Sequence, residues 1–178
     1  MLAGAMIPVC AQTAAIDPAL LAKANSGDTA SQVLVGESYA AGNGVTKDLN
    51  QAAVWYRKAA DKGSAAAALH LAQLYRDGGK GLLRDMVQAA EWYRKAADQG
   101  DAGAQATLGV LYSIGQGVAQ DYVEAYYWFD LAASAKGPKQ EQYAANRQMA
   151  GTHITADELA GVEERVAKWI AAHPRPAE

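Results

Sequence analysis

One cysteine, Cys10, is too few for an internal disulfide, so nothing in this chain can be stapled covalently. The same scarcity rules out a zinc site built on several thiolates. The three histidines, His70, His153 and His173, lie far apart and form no ligand-spaced motif. Phenylalanine occurs once and isoleucine is sparse. That speaks against a β-sandwich, whose strands draw on β-branched and aromatic residues. An excess of cationic charge is also lacking: 16 Lys and Arg stand against 19 Asp and Glu, leaving a net charge of −3. Nucleic acids and anionic lipid surfaces both call for a clustered basic face, so neither is expected as a partner. No run reaches the roughly 18–20 apolar residues of a membrane-spanning helix.

What the chain has in quantity is alanine, 41 of 178 residues. Alanine is the best helix former and lets helices approach closely. The composition therefore fits short, tightly packed helices. The first sixteen residues carry no charged side chain, and Ala, Met, Ile and Val dominate the first eleven. Val9-Cys10-Ala11 then offers small residues ahead of polar Gln12-Thr13, as at a signal-peptidase site. Residues 1–16 are accordingly expected to be the tail of a secretory signal, which makes a periplasmic or secreted location the first expectation. The alternatives are a disordered or helical extension and a cytoplasmic location. Lipidation at Cys10 fits poorly, because Val9 stands where a small residue belongs.

Internal periodicity is the strongest signal in the sequence. Trp55, Trp92 and Trp128 recur at 37 and 36 residues, and Tyr39, Tyr75 and Tyr112 at 36 and 37. Gly27, Gly63, Gly100 and Gly137 keep the same step, as do Asp48, Asp85 and Asp121. Each unit divides into two helices. The first carries a buried stripe at i, i+4, i+8: Ser31/Val35/Tyr39, Ala67/Leu71/Tyr75 and Ala104/Leu108/Tyr112. Gly36, Ala72 and Gly109 sit beside that stripe, where a small residue admits the partner helix. A glycine-rich turn follows. The second helix starts at the recurring Asp as N-cap, carries the Trp and an Ala pair, and ends towards Gly63, Gly100 or Gly137 as a C′ residue.

These signals give a leading helix over 17–26, opened by Asp17-Pro18, and repeats over 27–63, 64–100 and 101–137. Capping helices follow over 138–173. The first of them is opened by Pro138 and the second by the capping box Thr155-Ala156-Asp157-Glu158. Residues 174–178 are expected to be a disordered tail.

The phrase Gly-Asp-Ala-x-Ala-Gln-x-x-Leu-Gly-x-x-Tyr from Gly100 to Tyr112 is followed by a Gly-x-Gly-Val turn, an Asp and a Trp; Trp55 and Trp92 lead into Tyr-Arg-Lys-Ala-Ala-Asp. The pattern resembles the Sel1-like repeat, a relative of the tetratricopeptide repeat with a slightly longer unit, and it covers about residues 24–137. Some exported members staple each repeat with a cysteine pair. This chain has none and so resembles the cysteine-poor bacterial members. The resemblance implies an all-α, right-handed α-α solenoid with a C-terminal capping helix pair. It also implies a non-enzymatic interaction scaffold or adaptor with a protein or peptide partner and no cofactor.

In the related tetratricopeptide repeats the ligand-facing positions lie on the first helix of each pair, off the core stripe, on the concave side. Carried over by the shared Leu-Gly-x-x-Tyr register, they fall here on Ala30, Val33, Glu37 and Ala40 in the first unit. In the second they are Ala66, Leu69, Gln73, Arg76 and Asp77, and in the third Gly103, Ala106, Val110 and Ser113. Val33, Glu37, Leu69, Gln73, Arg76, Asp77, Ala106 and Val110 are the candidate partner-binding residues. Simple exposed helix surface is the competing reading for all of them.

Other chemistry is weaker. Asp48, Asp85 and Asp121 sit at one repeat position and are therefore spaced apart on a solenoid, whereas catalytic carboxylates converge to about 5–10 Å. The Gly-x-Gly turns lack the strand and Lys-Ser/Thr of a phosphate loop. The Trp and Tyr series reads as inter-repeat core rather than a sugar-stacking ladder. Arg57-Lys58 and Arg94-Lys95 read as the wet face of the second helices. Arg147 is left between capping a helix end and pairing with a carboxylate. A binder of cell-wall glycan would need aromatics exposed on one face, and a hydrolase would need a non-repeating nucleophile or carboxylate pair. With three full units, stacking of solenoid ends into a homodimer stays open.

Overall fold

The structure is a computed structural model that describes residues 15–174. Within them the chain forms a solenoid of antiparallel helix pairs. The helices are α1 Pro18–Ser26, α2 Thr29–Ala41, α3 Leu49–Ala60, α4 Ala65–Asp77, α5 Met86–Asp98, α6 Ala102–Ile114, α7 Tyr122–Ala133, α8 Gln140–Gly151 and α9 Ala156–Ala172. None is long and apolar enough to cross a membrane.

Every second helix starts in the same way. Asp48, Asp85 and Asp121 cap α3, α5 and α7, each accepting two backbone N–H bonds at 2.9–3.0 Å from the residues two and three positions on. The backbone N–H of each Asp also donates to the carbonyl of the tyrosine in the last turn of the previous helix: Tyr39, Tyr75 and Tyr112, at 2.9, 2.8 and 3.0 Å. The recurring Asp and Tyr thus close each turn together, and capping is the role in which the structure shows the three carboxylates. The first helices are capped by Asp28, Ser64 and Asp101, a series the sequence reading passed over.

The Trp55, Trp92 and Trp128 side chains are 7%, 5% and 3% exposed, so they are core and not a stacking ladder. Gly36 and Gly109 make room for rings: a Cβ on Gly36 would meet the Tyr56 ring at 2.6 Å, and one on Gly109 would meet Phe129 at 2.8 Å. Gly117, with φ +75°, passes so close to the preceding unit that a Cβ would lie 2.0 Å from the Met86 carbonyl oxygen. The turn glycines therefore serve inter-repeat contact as well as the turn itself. The longer turn of the second unit closes as a small hairpin, with Gly79 and Leu82 exchanging backbone hydrogen bonds at 2.8 and 3.1 Å.

Two details depart from expectation, at Gly137 and at the start of α8, and two more add to it. Gly63 and Gly100 are left-handed at φ +88°, but Gly137 is not; it precedes Pro138, which pushes the residue before it towards extended conformations. Helix α8 starts at Gln140 rather than at Pro138, and its N-cap Lys139 supplies no side-chain bond. Both α8 and α9 pack on α7, and Val162 and Val166 of α9 join the main core. Ile16, inside the segment read as a signal remnant, packs with Leu20 and Leu21 against Ala24, Val35 and Trp55. The rest of that reading, residues 1–14 with Cys10, lies outside the described residues, as does most of the tail expected over 174–178.

Candidate functional site

The helix pairs are tied to one another by polar contacts that repeat with the units. Arg57 of α3 donates to the Tyr75 hydroxyl of the next unit at 2.7 Å and lies over the Trp92 ring, 5.6 Å from its centroid. Arg94 of α5 repeats both contacts with Tyr112 and Trp128. Lys58 and Lys95 cover the rings of Trp55 and Trp92 at 4.1 and 3.7 Å. These basic residues are exposed, yet the two arginines hold neighbouring units in register and the two lysines shield indole faces of their own helices from water. A plain wet face is therefore too weak a description of them. At the third unit the equivalent residue is Asp130, and Arg147 of α8 donates to it at 2.5 Å. This settles Arg147 as a carboxylate partner. The carboxylate at its side also raises the Arg147 pKa, with burial opposing.

The first helices α4 and α6, together with α8, line an open groove of about 460 Å³. It brings together Leu69, Gln73, Arg76, Ala106 and Val110 from the expected set. Val110 is 39% exposed and offers a real contact surface, whereas Ala106 is 7% exposed and acts mainly as floor. Leu69 is half-buried against the core.

Arg76 is fixed by three bonds. Its Nη1 donates to the Tyr93 hydroxyl at 2.9 Å, and its Nε and Nη2 donate to the Asp77 carboxylate at 2.7 and 3.0 Å. Hydrogen bonding from Arg76 holds the Asp77 carboxyl below its ordinary range. Burial pushes the Tyr93 hydroxyl up against the pull of Arg76. Asp77 lies off the groove, in a neighbouring hollow that Arg76, Arg84 and Val110 also line.

Besides Asp77, two more of the expected residues lie outside the groove. Val33 packs half-buried against the core. Glu37 faces His70 of α4 at 3.5 Å, and His70 in turn stacks on Tyr56 with ring centroids 5.1 Å apart. Neither lines this groove, which begins at α4, one repeat after α2.

Four groove residues were missed because α8 was assigned to the cap alone: Lys139, Gln142, Tyr143 and Asn146. The signal for them was in the repeat. Tyr143 falls 37 residues after Ala106, which falls 37 after Leu69. Helix α8 therefore continues the row of first helices as a fourth member. Beside the groove, Val110, Ile114, Phe129, Met149, Ala150 and His153 are among the residues lining a second, largely apolar cleft of about 280 Å³ between α6, α7 and α8. Among the described residues, no cluster of three or more His, Cys, Asp or Glu is placed to hold a metal.

Comparison with known proteins agrees with this architecture. None of the curated proteins matches. A Sel1 repeat protein from Oxalobacter formigenes, solved by crystallography, is similar at 34% identity over 70% of this chain and 92% of its own, with a TM-score of 0.62. The Helicobacter pylori cysteine rich protein B is similar in fold at 19% identity, over 70% of this chain and 88% of its own, with a TM-score of 0.53. The Sel1 repeat model matches three times, over residues 29–64, 65–101 and 102–136, one match for each unit whose caps, rings and glycines recur above, and the chain belongs to the Sel1 repeat family.

Proposed function

We propose that the protein is a non-catalytic scaffold that binds a segment of a partner protein along the face formed by its first helices. Sel1 repeat proteins are generally protein-interaction scaffolds. The observation that carries the reading to this face is the groove: five of eight residues chosen from the repeat register meet there, joined by Lys139, Gln142, Tyr143 and Asn146. The lining mixes apolar floor with amide, hydroxyl and cationic groups, as a polypeptide ligand requires. The charge-free N-terminal stretch of the sequence further supports export and action in the cell envelope.

The test is affinity capture from an envelope extract with the full chain as bait. A parallel bait carries Gln73→Ala, Val110→Asp and Asn146→Ala, and a control bait carries Glu91→Lys on the exposed side of α5. One protein enriched by the wild type and the control, and lost with the groove variant, is the expected result. Equal capture by all three baits would move the binding surface elsewhere. No specific capture at all would remove the scaffold reading.

A further inference from the structure

We propose that Asn43 is a site of spontaneous covalent modification, at which the side-chain amide is lost to the Gly44 nitrogen and aspartate or isoaspartate takes its place. The site lies in the turn between α2 and α3, outside the groove, and stands whether or not a partner binds there.

In an Asn-Gly pair the glycine amide nitrogen attacks the asparagine Cγ. A Cγ–N bond forms and the bond from Cγ to the side-chain nitrogen breaks. Ammonia leaves with the proton that the glycine nitrogen gives up, and a five-membered cyclic imide remains. Water then opens one of its two carbonyls. Breaking the new Cγ–N bond leaves aspartate and restores the backbone. Breaking the original peptide bond leaves isoaspartate, whose backbone runs through Cβ. One water enters and one ammonia departs, with no oxidant or reductant.

The chain has four asparagines, and the structure sets one of them apart. Asn25, Asn50 and Asn146 lie inside α1, α3 and α8. A helix ties up the N–H groups of its interior, and the residues that follow these three, Ser26, Gln51 and Arg147, carry side chains that crowd the nitrogen. The Gln51 N–H is also held by the Asp48 carboxylate at 3.0 Å, and the Asn50 carboxamide donates to the Gly81 carbonyl at 3.0 Å.

Asn43 is exposed and lies outside any helix. Its own N–H is fixed on the Ser38 carbonyl at 2.9 Å. Among the described residues, neither its carboxamide nor the Gly44 N–H makes a hydrogen bond. Gly44 has no side chain to shield its nitrogen, and its φ of +74° is one that glycine adopts freely.

The molecule contains its own controls. In the other two turns the corresponding pairs are Lys80-Gly81 and Gln116-Gly117. Lysine has no carbonyl to attack, and glutamine would have to close a six-membered ring, which forms far more slowly. Asp77-Gly78 has the right spacing but is guarded. The Gly78 N–H donates to the Leu74 carbonyl at 2.8 Å, and hydrogen bonding from Arg76 keeps the Asp77 carboxyl in its ionised form, which resists attack. Each event at Asn43 adds a negative charge to a chain already at −3. The isoaspartate product also inserts a backbone carbon between the Asn43 bond to Ser38 and the α3 cap Asp48.

The experiment is incubation of the purified full chain over days in native buffers of rising pH, with a parallel sample in urea. The expected result is the mass gain of exchanging –NH2 for –OH, with one ammonia released per event. The rate should rise with pH, because the attacking nitrogen must shed its proton. Product formed in heavy-oxygen water should carry the label. Peptide mapping should place the change at position 43 and leave Asn25, Asn50 and Asn146 intact. Isoaspartyl methyltransferase should transfer methyl groups from S-adenosylmethionine to the aged chain and not to the fresh one. Asn43→Gln should lose both the mass gain and the methyl transfer. Its thermal midpoint shows whether it is folded; if it is not, the site-by-site map of the wild type decides alone.

No change at position 43 in the folded chain, whether or not it occurs in urea, would overturn the proposal. So would a mass gain that maps mainly to another asparagine or to Gln116, or one that persists undiminished in folded Asn43→Gln.

Discussion

Gly109 and Ala72 occupy the same place in consecutive units, so exchanging them tests how tightly the helix pairs are fitted. A Cβ on Gly109 would lie 2.8 Å from two atoms of the Phe129 ring and 3.0 Å from a third. The ring is 3% exposed and borders the apolar cleft, so it can relieve the contact only by leaving its packed position and turning towards that cleft. Gly109→Ala gains about 1 kcal/mol of helix propensity and meets an overpacking cost of about 1–3 kcal/mol. We expect a net loss of about 1 kcal/mol. Ala72 is fully buried, so Ala72→Gly loses about 1 kcal/mol of propensity and about as much again for the void of one methyl. Both exchanges should therefore destabilise, although one adds a methyl and the other removes it. Each kcal/mol should lower the thermal midpoint by roughly 2–4 °C for a chain of this size, a shift that circular dichroism resolves. Adding Phe129→Leu to Gly109→Ala should recover part of the loss. A Gly109→Ala variant more stable than wild type would refute the reasoning, because it would show the ring giving way at no cost.

Trp92→Ala should cost about 3–5 kcal/mol in urea unfolding, while Trp92→Phe should cost much less, because it keeps an aromatic ring in the core and the buried Trp92 indole N–H has no hydrogen-bond partner among the described residues. Arg147→Ala leaves Asp130, 17% exposed, without its partner and should cost about 1–3 kcal/mol; the double variant with Asp130→Ala should cost clearly less than the two single losses added together. Alkali should weaken the fold. Burial, with Glu37 adding to it, pushes the Tyr56 hydroxyl from 10.0 up to about 12, so the unfolded chain ionises first. The corresponding stability is fully present below pH 10 and is lost as pH rises towards 12; unfolding free energies measured across that range should fall less steeply in Tyr56→Phe.

Much of the fold was readable in the sequence because the repeat made each inference three times over. One Asp followed by an apolar helix is a guess, but three Asp in step with three Tyr fix turn, cap and helix start at once. What the sequence did not reveal depends on contacts between units rather than on period. Arg57 and Arg94 look like ordinary surface residues until the next unit's Tyr and Trp are set beside them. Gly117 looks like a turn residue until the Met86 carbonyl comes up underneath it. The groove was readable in part. Leu69, Gln73 and Val110 followed from the register, but labelling α8 as a cap hid Tyr143 and Asn146, although their spacing placed them in a fourth row. Glu37 lies outside the groove and faces His70 at the α2–α4 junction, a contact that no rule of spacing reports.

The seams between units also carry a direction. Each inner seam joins an Arg of one unit to a Tyr of the next, from Arg57 to Tyr75 and from Arg94 to Tyr112, and the last seam reverses the roles, with Asp130 receiving Arg147. A copy of residues 64–100 inserted after Gly100 would meet a matching seam on both sides, whereas the same copy inserted after the third unit would present its Tyr to an Asp and strand Arg147. The protein can therefore be lengthened only from within, one whole unit at a time, and its reach along a partner is a quantity that gene duplication can change in steps without altering either end.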